Sequence, residues 1–123
     1  MSNEAVRRFT DKIPQQAEYG NMRLEIRDQA LCVDGSDEWT HLPAQEYQIL
    51  WYLTKAQGGF VQTAHLAAWL NENSQLENNK SPDYIGIVKT LIKNLRGKMK
   101  EMSSLRVRIP VEDGRSGYRL ETF

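Results

Sequence analysis

The chain is 123 residues long, 40% hydrophobic and 26% charged, with 16 Lys plus Arg against 16 Asp plus Glu, and it contains one cysteine. That size admits one modest core and not two, the single thiol excludes an internal disulfide, and no apolar run reaches the roughly 20 residues of a membrane span. The stretch from Met1 to Gly20 is too polar for a secretory signal, so the chain is expected in the cytoplasm with no membrane partner.

Residues 1–21 show no sustained period and read as a tail or linker, leaving 22–123 as the folded domain. "MRLEIRDQALCV", residues 22–33, alternates Leu24 and Ile26, breaks at Arg27 to Gln29, and resumes at Leu31 and Val33, which predicts a hairpin. Cys32, inside that apolar run, is expected to be a buried inert thiol. "DGSDE" at 34–38 is a turn, and "WTHL" at 39–42 a further short strand.

Pro43 opens a different rhythm. Tyr47, Leu50, Trp51 and Thr54, widened by Ile49 and Leu53, fall at helical spacing and predict a helix that Gly58 and Gly59 stop. Thr63 caps a second, shorter helix with Leu66, Ala67 and Leu70 inward. Residues 72–82 form a polar loop, and a third helix starts near Pro82 or Asp83. Trp39, Trp51 and Trp69 read as core or partly buried packing residues.

The third helix carries the sharpest signal. Ile85, Val88, Ile92, Leu95, Met99 and Met102 recur at intervals of three and four, one stripe that turns inward. Opposite it stand Gly86, Thr90, Asn94 and Gly97, bordered by Lys89, Lys93, Arg96 and Lys100. A low outward profile, hydrogen-bonding side chains and flanking cations suit a helix entering a duplex groove about 12 Å wide. Two outward glycines each cost about 1 kcal/mol of helix propensity, which an ordinary solvated face does not require. Charge points the same way: residues 1–88 hold 7 basic against 12 acidic side chains, and residues 89–123 hold 9 against 4. "LRVRIPV" at 105–111, the turn "EDGRSG" and the return "YRL" then predict a β-hairpin wing with Arg115 at its tip, suited to a minor groove or its phosphates.

The order and spacing of "LPAQEYQILWYLTKAQGGFVQTAHL" (42–66), "VKTLIKNLRGKM" (88–99) and "GYRL" (117–120) resemble the winged-helix DNA-binding domain of OmpR/PhoB-type bacterial response regulators and their ToxR-like relatives. The resemblance implies an α+β winged helix-turn-helix: an N-terminal antiparallel sheet, three helices and a C-terminal hairpin wing. It implies a transcriptional regulator that binds double-stranded DNA sequence-specifically, with the third helix in the major groove. The candidate DNA-contact residues are Lys89, Thr90, Lys93, Asn94, Arg96, Lys98 and Arg115; the resemblance carries over Thr90, Lys93, Asn94 and Arg96, with Arg115 in the place of the wing's basic residue, and transfers no contact to Lys89. Lys89 stands where the family commonly has Asp and Leu91 where it has His, and the wing reads "GRSGY" where the family has R-G-x-G-Y. By analogy of fold, the 72–82 loop is expected to be a surface for RNA polymerase. Because one winged helix contacts only a few base pairs, two copies are expected on neighbouring half-sites, as a homodimer or in tandem.

His41 and His65 lie 24 residues apart without metal-ligand spacing, Ser103 and Ser104 lack a base and an orienting acid, and no phosphate-cradling glycine loop is present. Neither enzymatic chemistry nor a cofactor or metal is expected. The alternative is a winged-helix protein-interaction module without DNA binding, for which the acidic stretch from Asp28 to Asp83, with eight carboxylates against Lys55 and Lys80, is the motivating feature.

Overall fold

The computed structural model describes residues 16–73, 84–111 and 116–123. Strands β1 (Gln16–Tyr19), β2 (Met22–Glu25), β3 (Ala30–Val33) and β4 (Trp39–His41) form an antiparallel sheet in chain order. Helices α1 (Ala44–Lys55), α2 (Thr63–Asn73) and α3 (Tyr84–Glu101) follow, with short strands β5 (Val61–Gln62), β6 (Val107–Arg108), β7 (Gly117–Tyr118) and β8 (Glu121–Thr122) completing the α+β winged helix-turn-helix architecture.

The sheet begins earlier than the periodicity of residues 22–33 suggests, because β1 recruits residues 16–19 from the stretch read as a tail. Tyr19 pairs with Met22 across a two-residue turn in which Gly20 takes φ +57°. Asn21 in that turn accepts from the Arg106 N–H at 2.9 Å and donates to the Ser104 carbonyl at 2.8 Å, tying the hairpin to the chain leaving α3.

Alternation divides the sheet's two faces. Ala17, Met22, Leu24, Leu31 and Val33 turn toward the helices and are buried. The outer face carries Arg23, Glu25, Cys32 and Trp39, with Cys32 paired to Arg23 on one side and Trp39 on the other. Trp39 is 65% exposed, so it is not a packing residue; β4 is the sheet edge and nothing covers its outer side among the described residues. Trp51 and Trp69 do pack: Trp69 meets Tyr52 edge-on at 5.3 Å and donates to the Gln48 carbonyl, while Trp51 stacks on Tyr47 at 6.1 Å.

The core lies between the inner sheet face and the three helices. Ile49, Leu50 and Leu53 of α1, Leu66 and Leu70 of α2, and Val88, Ile92 and Leu95 of α3 are all fully buried there. Each such side chain removed from water favours folding by about 1.5–3 kcal/mol before entropy is counted. Helix α1 starts after Pro43 without a side-chain cap and ends where Gln57 (φ +50°) and Gly58 (φ +86°) turn the chain left-handed.

The C-terminal segment departs from a simple hairpin between 105–111 and 118–120. Val107 pairs with Thr122 and Arg108 with Glu121, while Tyr118 pairs with Val61 and Gly117 with Gln62. The returning chain therefore divides its backbone bonds between the strand after α3 and the strand before α2. Glycine is required at 117, since a Cβ there would collide with the Val61 carbonyl and the Phe60 ring. The turn at 112–115, including Arg115, and residues 74–83, which hold most of the 72–82 loop, lie outside the described residues.

Candidate nucleic-acid interface

Helix α3, 18 residues and thus about 27 Å long, has two sharply different faces. Val88, Leu91, Ile92, Leu95 and Met99 are buried, and Met102 continues their line just past the helix end. Leu91 joins this stripe and Ile85 leaves it: Ile85 is 46% exposed, although its neighbours Tyr84 and Ile87 are partly buried against the core.

On the opposite side Lys89, Thr90, Lys93, Asn94, Gly97 and Lys100 are all exposed. At about 100° per residue, Lys89, Lys93 and Lys100 gather on one flank and Thr90 and Asn94 on the other, with Gly97 between them. Thr90 Oγ1 donates to the Gly86 carbonyl at 3.2 Å, which orients the hydroxyl with its acceptor lone pairs outward. No atom lies within 4 Å of where a Gly97 Cβ would stand, so the low profile there is not imposed by neighbours within the domain. The face offers cations on one side, hydrogen-bonding groups on the other and a shallow centre.

Two further cations on the helix are engaged elsewhere. The Arg96 guanidinium donates from Nε to the Ile109 carbonyl and from Nη2 to the Pro110 carbonyl, both at 2.9 Å, and sits 5.6 Å from the Tyr118 ring centroid. It is half-buried and holds the chain at Ile109 and Pro110, just past β6. Lys98 Nζ lies 2.6 Å from Glu46 Oε1, on a carboxylate that is itself buried. Arg96 belongs to the lysine rhythm of the sequence and Lys98 to the same basic segment, and neither signal reveals a partner on another element. Conversely, Lys100 is exposed on the lysine flank, and its place in the four-three-four lysine rhythm was the available signal.

Beside α3 the basic character continues across the C-terminal strands. Arg106 and Arg108 approach the Phe123 ring at 5.9 and 5.1 Å, and Arg108 Nε donates to Glu121 at 2.7 Å. Arg108 first, and then Arg119, hold the Glu121 carboxyl below the usual carboxylate range. A notch of about 510 Å³ opens between the start of α2, the first turns of α3 and β7, bordered by Phe60, Thr63, Ile85, Lys89 and Tyr118.

The remaining chemistry-bearing side chains are dispersed. His41 is exposed, its Nδ1 3.0 Å from the Asp28 carbonyl oxygen, and His65 is exposed on α2. Burial pushes the Cys32 thiol up. Among the described residues, no group of three or more His, Cys, Asp or Glu side chains is arranged to hold a metal ion, and no helix is long and apolar enough to cross a membrane.

No protein-family profile and no curated protein matches the chain. Solved structures do resemble it. The DNA-binding domain of the response regulator AdeR, crystallised in complex with an intercistronic region, matches with a TM-score of 0.63 and 17% identity, over 86% of this chain and 99% of that one. DrrB, a response regulator of Thermotoga maritima and an OmpR/PhoB homolog, matches with a TM-score of 0.60 and 23% identity over 93% of this chain, which spans 48% of DrrB. The fold shared with these response regulators is the winged helix.

Proposed function

We propose that this chain is a transcriptional regulator of the OmpR/PhoB type that binds double-stranded DNA sequence-specifically, with α3 in the major groove. The observation that carries the reading is the outward face of α3, where Lys89, Lys93 and Lys100 flank a shallow surface bearing Thr90 and Asn94. Cations against phosphates determine position and affinity, and the polar groups between them discriminate bases. Arg96 acts on this reading as a support for the chain leading to the wing, and Lys98 as a fastening of α3 to α1, rather than as phosphate contacts. Arg115 contacts the minor groove or the backbone from the wing tip, and loop 72–82 touches RNA polymerase. A single winged helix reads few base pairs, so two copies, as a homodimer or in tandem, occupy neighbouring half-sites.

Selection from a random duplex pool tests the proposal: one enriched sequence, with binding that weakens as salt rises, is the expected result. A second reading, a protein-interaction module without DNA binding, is favoured by one observation, the exposed Trp39 opposite Cys32 on the outer face of the sheet. Recovery of no enriched duplex by the folded protein would select it.

A further inference from the structure

Ile85 has no place in the hydrophobic core, although its spacing fits the buried stripe. It and Ile92 differ by only about 20° around the helix axis, yet Ile92 is fully buried and Ile85 is 46% exposed. Tyr84 and Ile87 of the same turn pack partly against the core, while Ile85 is left to solvent. Ile85 sits in the first turn of α3, bordering the notch that also takes in Lys89 one turn further on.

Helices that enter the major groove reach base edges largely through their N-terminal residues. Of the groups displayed there, the C5-methyl of thymine is the apolar one that distinguishes a base pair. A β-branched side chain on a helix has one strongly preferred χ1 rotamer, so Ile85 presents its methyl groups with little entropy left to lose on contact. We propose that Ile85 is a specificity-determining residue that reads a thymine C5-methyl group, beside a phosphate held by Lys89. This rests on the reading of α3 as the groove-entering helix and adds the base feature recognised at its first turn.

The test replaces each thymine of the duplex enriched by wild-type protein, one at a time, with deoxyuridine, which removes the methyl and nothing else. Loss of about one methyl contact corresponds to about fourfold in affinity. We expect one thymine, or two adjacent ones, to show that loss with wild-type protein and no loss with Ile85→Ala, whose fold is checked by circular dichroism. If no thymine responds, if the response persists undiminished in Ile85→Ala, or if the enriched site contains no thymine, Ile85 is an ordinary solvated apolar residue and the inference is wrong while DNA binding stands. Failure to enrich any duplex overturns the inference together with the reading beneath it.

Discussion

Lys98 Nζ stands 2.6 Å from Glu46 Oε1, joining the last turn of α3 to the first turn of α1 across 52 residues of sequence. Glu46 is 5% exposed, so its carboxylate depends on this cation in place of water. The Lys98 side chain is 33% exposed, which places the pair below the energies of wholly buried ones.

Lys98→Ala is therefore expected to lower unfolding free energy by about 1–3 kcal/mol, because it leaves a buried carboxylate unpaired. Lys100→Ala, on the exposed flank, is expected to change it by less than about 0.5 kcal/mol. Urea denaturation of both variants checks this. In duplex binding the order reverses, with Lys100→Ala reducing the slope of log affinity against log salt by about one and Lys98→Ala leaving it unchanged.

Arg96 makes two guanidinium hydrogen bonds to consecutive carbonyls while lying against Tyr118. Lysine keeps the charge but not the planar fork. Arg96→Lys is expected to cost about 1–2 kcal/mol of stability and to speed amide exchange in the C-terminal strands more than in the N-terminal sheet. Uniform protection across both regions would show that this anchor does not hold the strands.

Asn94 and Lys93 are neighbours on the exposed face of α3 with different expected roles. Asn94→Ala is expected to change which duplex binds best, losing about 1–3 kcal/mol of discrimination at one base pair, whereas Lys93→Ala weakens matched and mismatched duplexes alike. Affinities for the enriched duplex and its single mismatches separate the two. Even losses across all duplexes for Asn94→Ala would remove it from the reading face.

Gly97 and Gly117 should respond oppositely to alanine. Open space surrounds the added Cβ at Gly97, so Gly97→Ala is expected to raise stability by up to about 1 kcal/mol while weakening duplex binding, since the helix can then approach the groove floor less closely. At Gly117 the same methyl meets the Val61 carbonyl and the Phe60 ring, and a loss of about 1–3 kcal/mol is expected. Thermal melts and binding titrations of both variants provide the comparison.

Glu38 gives the domain an acid-sensitive link. Its carboxylate accepts from the Ser104 N–H at 2.7 Å and from the Ser103 N–H at 3.1 Å, fastening the turn before β4 to the chain leaving α3. Hydrogen bonds from Ser104, and after them from Ser103, hold its carboxyl below the ordinary range. The folded value is thus lower than the unfolded one, about 4.3, so the stabilisation is fully present above that pH and is lost as pH falls through the folded value. The stability difference between wild type and Glu38→Gln should be largest at neutral pH and shrink in acid, as measured by denaturation at a series of pH values. A difference independent of pH would mean that the charge contributes nothing.

Much of the architecture was legible in the residue order. Period-two alternation in residues 22–33 and the three-four spacing from Val88 to Met99 report directly on which side of an element faces water, because burial of apolar side chains is the dominant local constraint. That spacing was enough to assign the exposed positions of Lys89, Thr90, Lys93 and Asn94 on α3. The two-residue Gly20–Asn21 turn also signalled an earlier start to the sheet, but the polar composition around it masked the strand.

Only the tertiary structure shows which cations on α3 meet partners among the described residues. Arg96 shares the spacing of the neighbouring lysines and Lys98 their charge, yet one finds carbonyls 13 and 14 residues away and the other a buried carboxylate 52 away, and no local pattern encodes such distances. The same holds for Ile85, whose azimuth suits the core but which is 46% exposed, and for the C-terminal chain, whose β7 pairs with β5 while β8 pairs with β6. Periodicity specifies direction around an axis. What a side chain meets in that direction depends on where the other elements end, which is decided by their packing together.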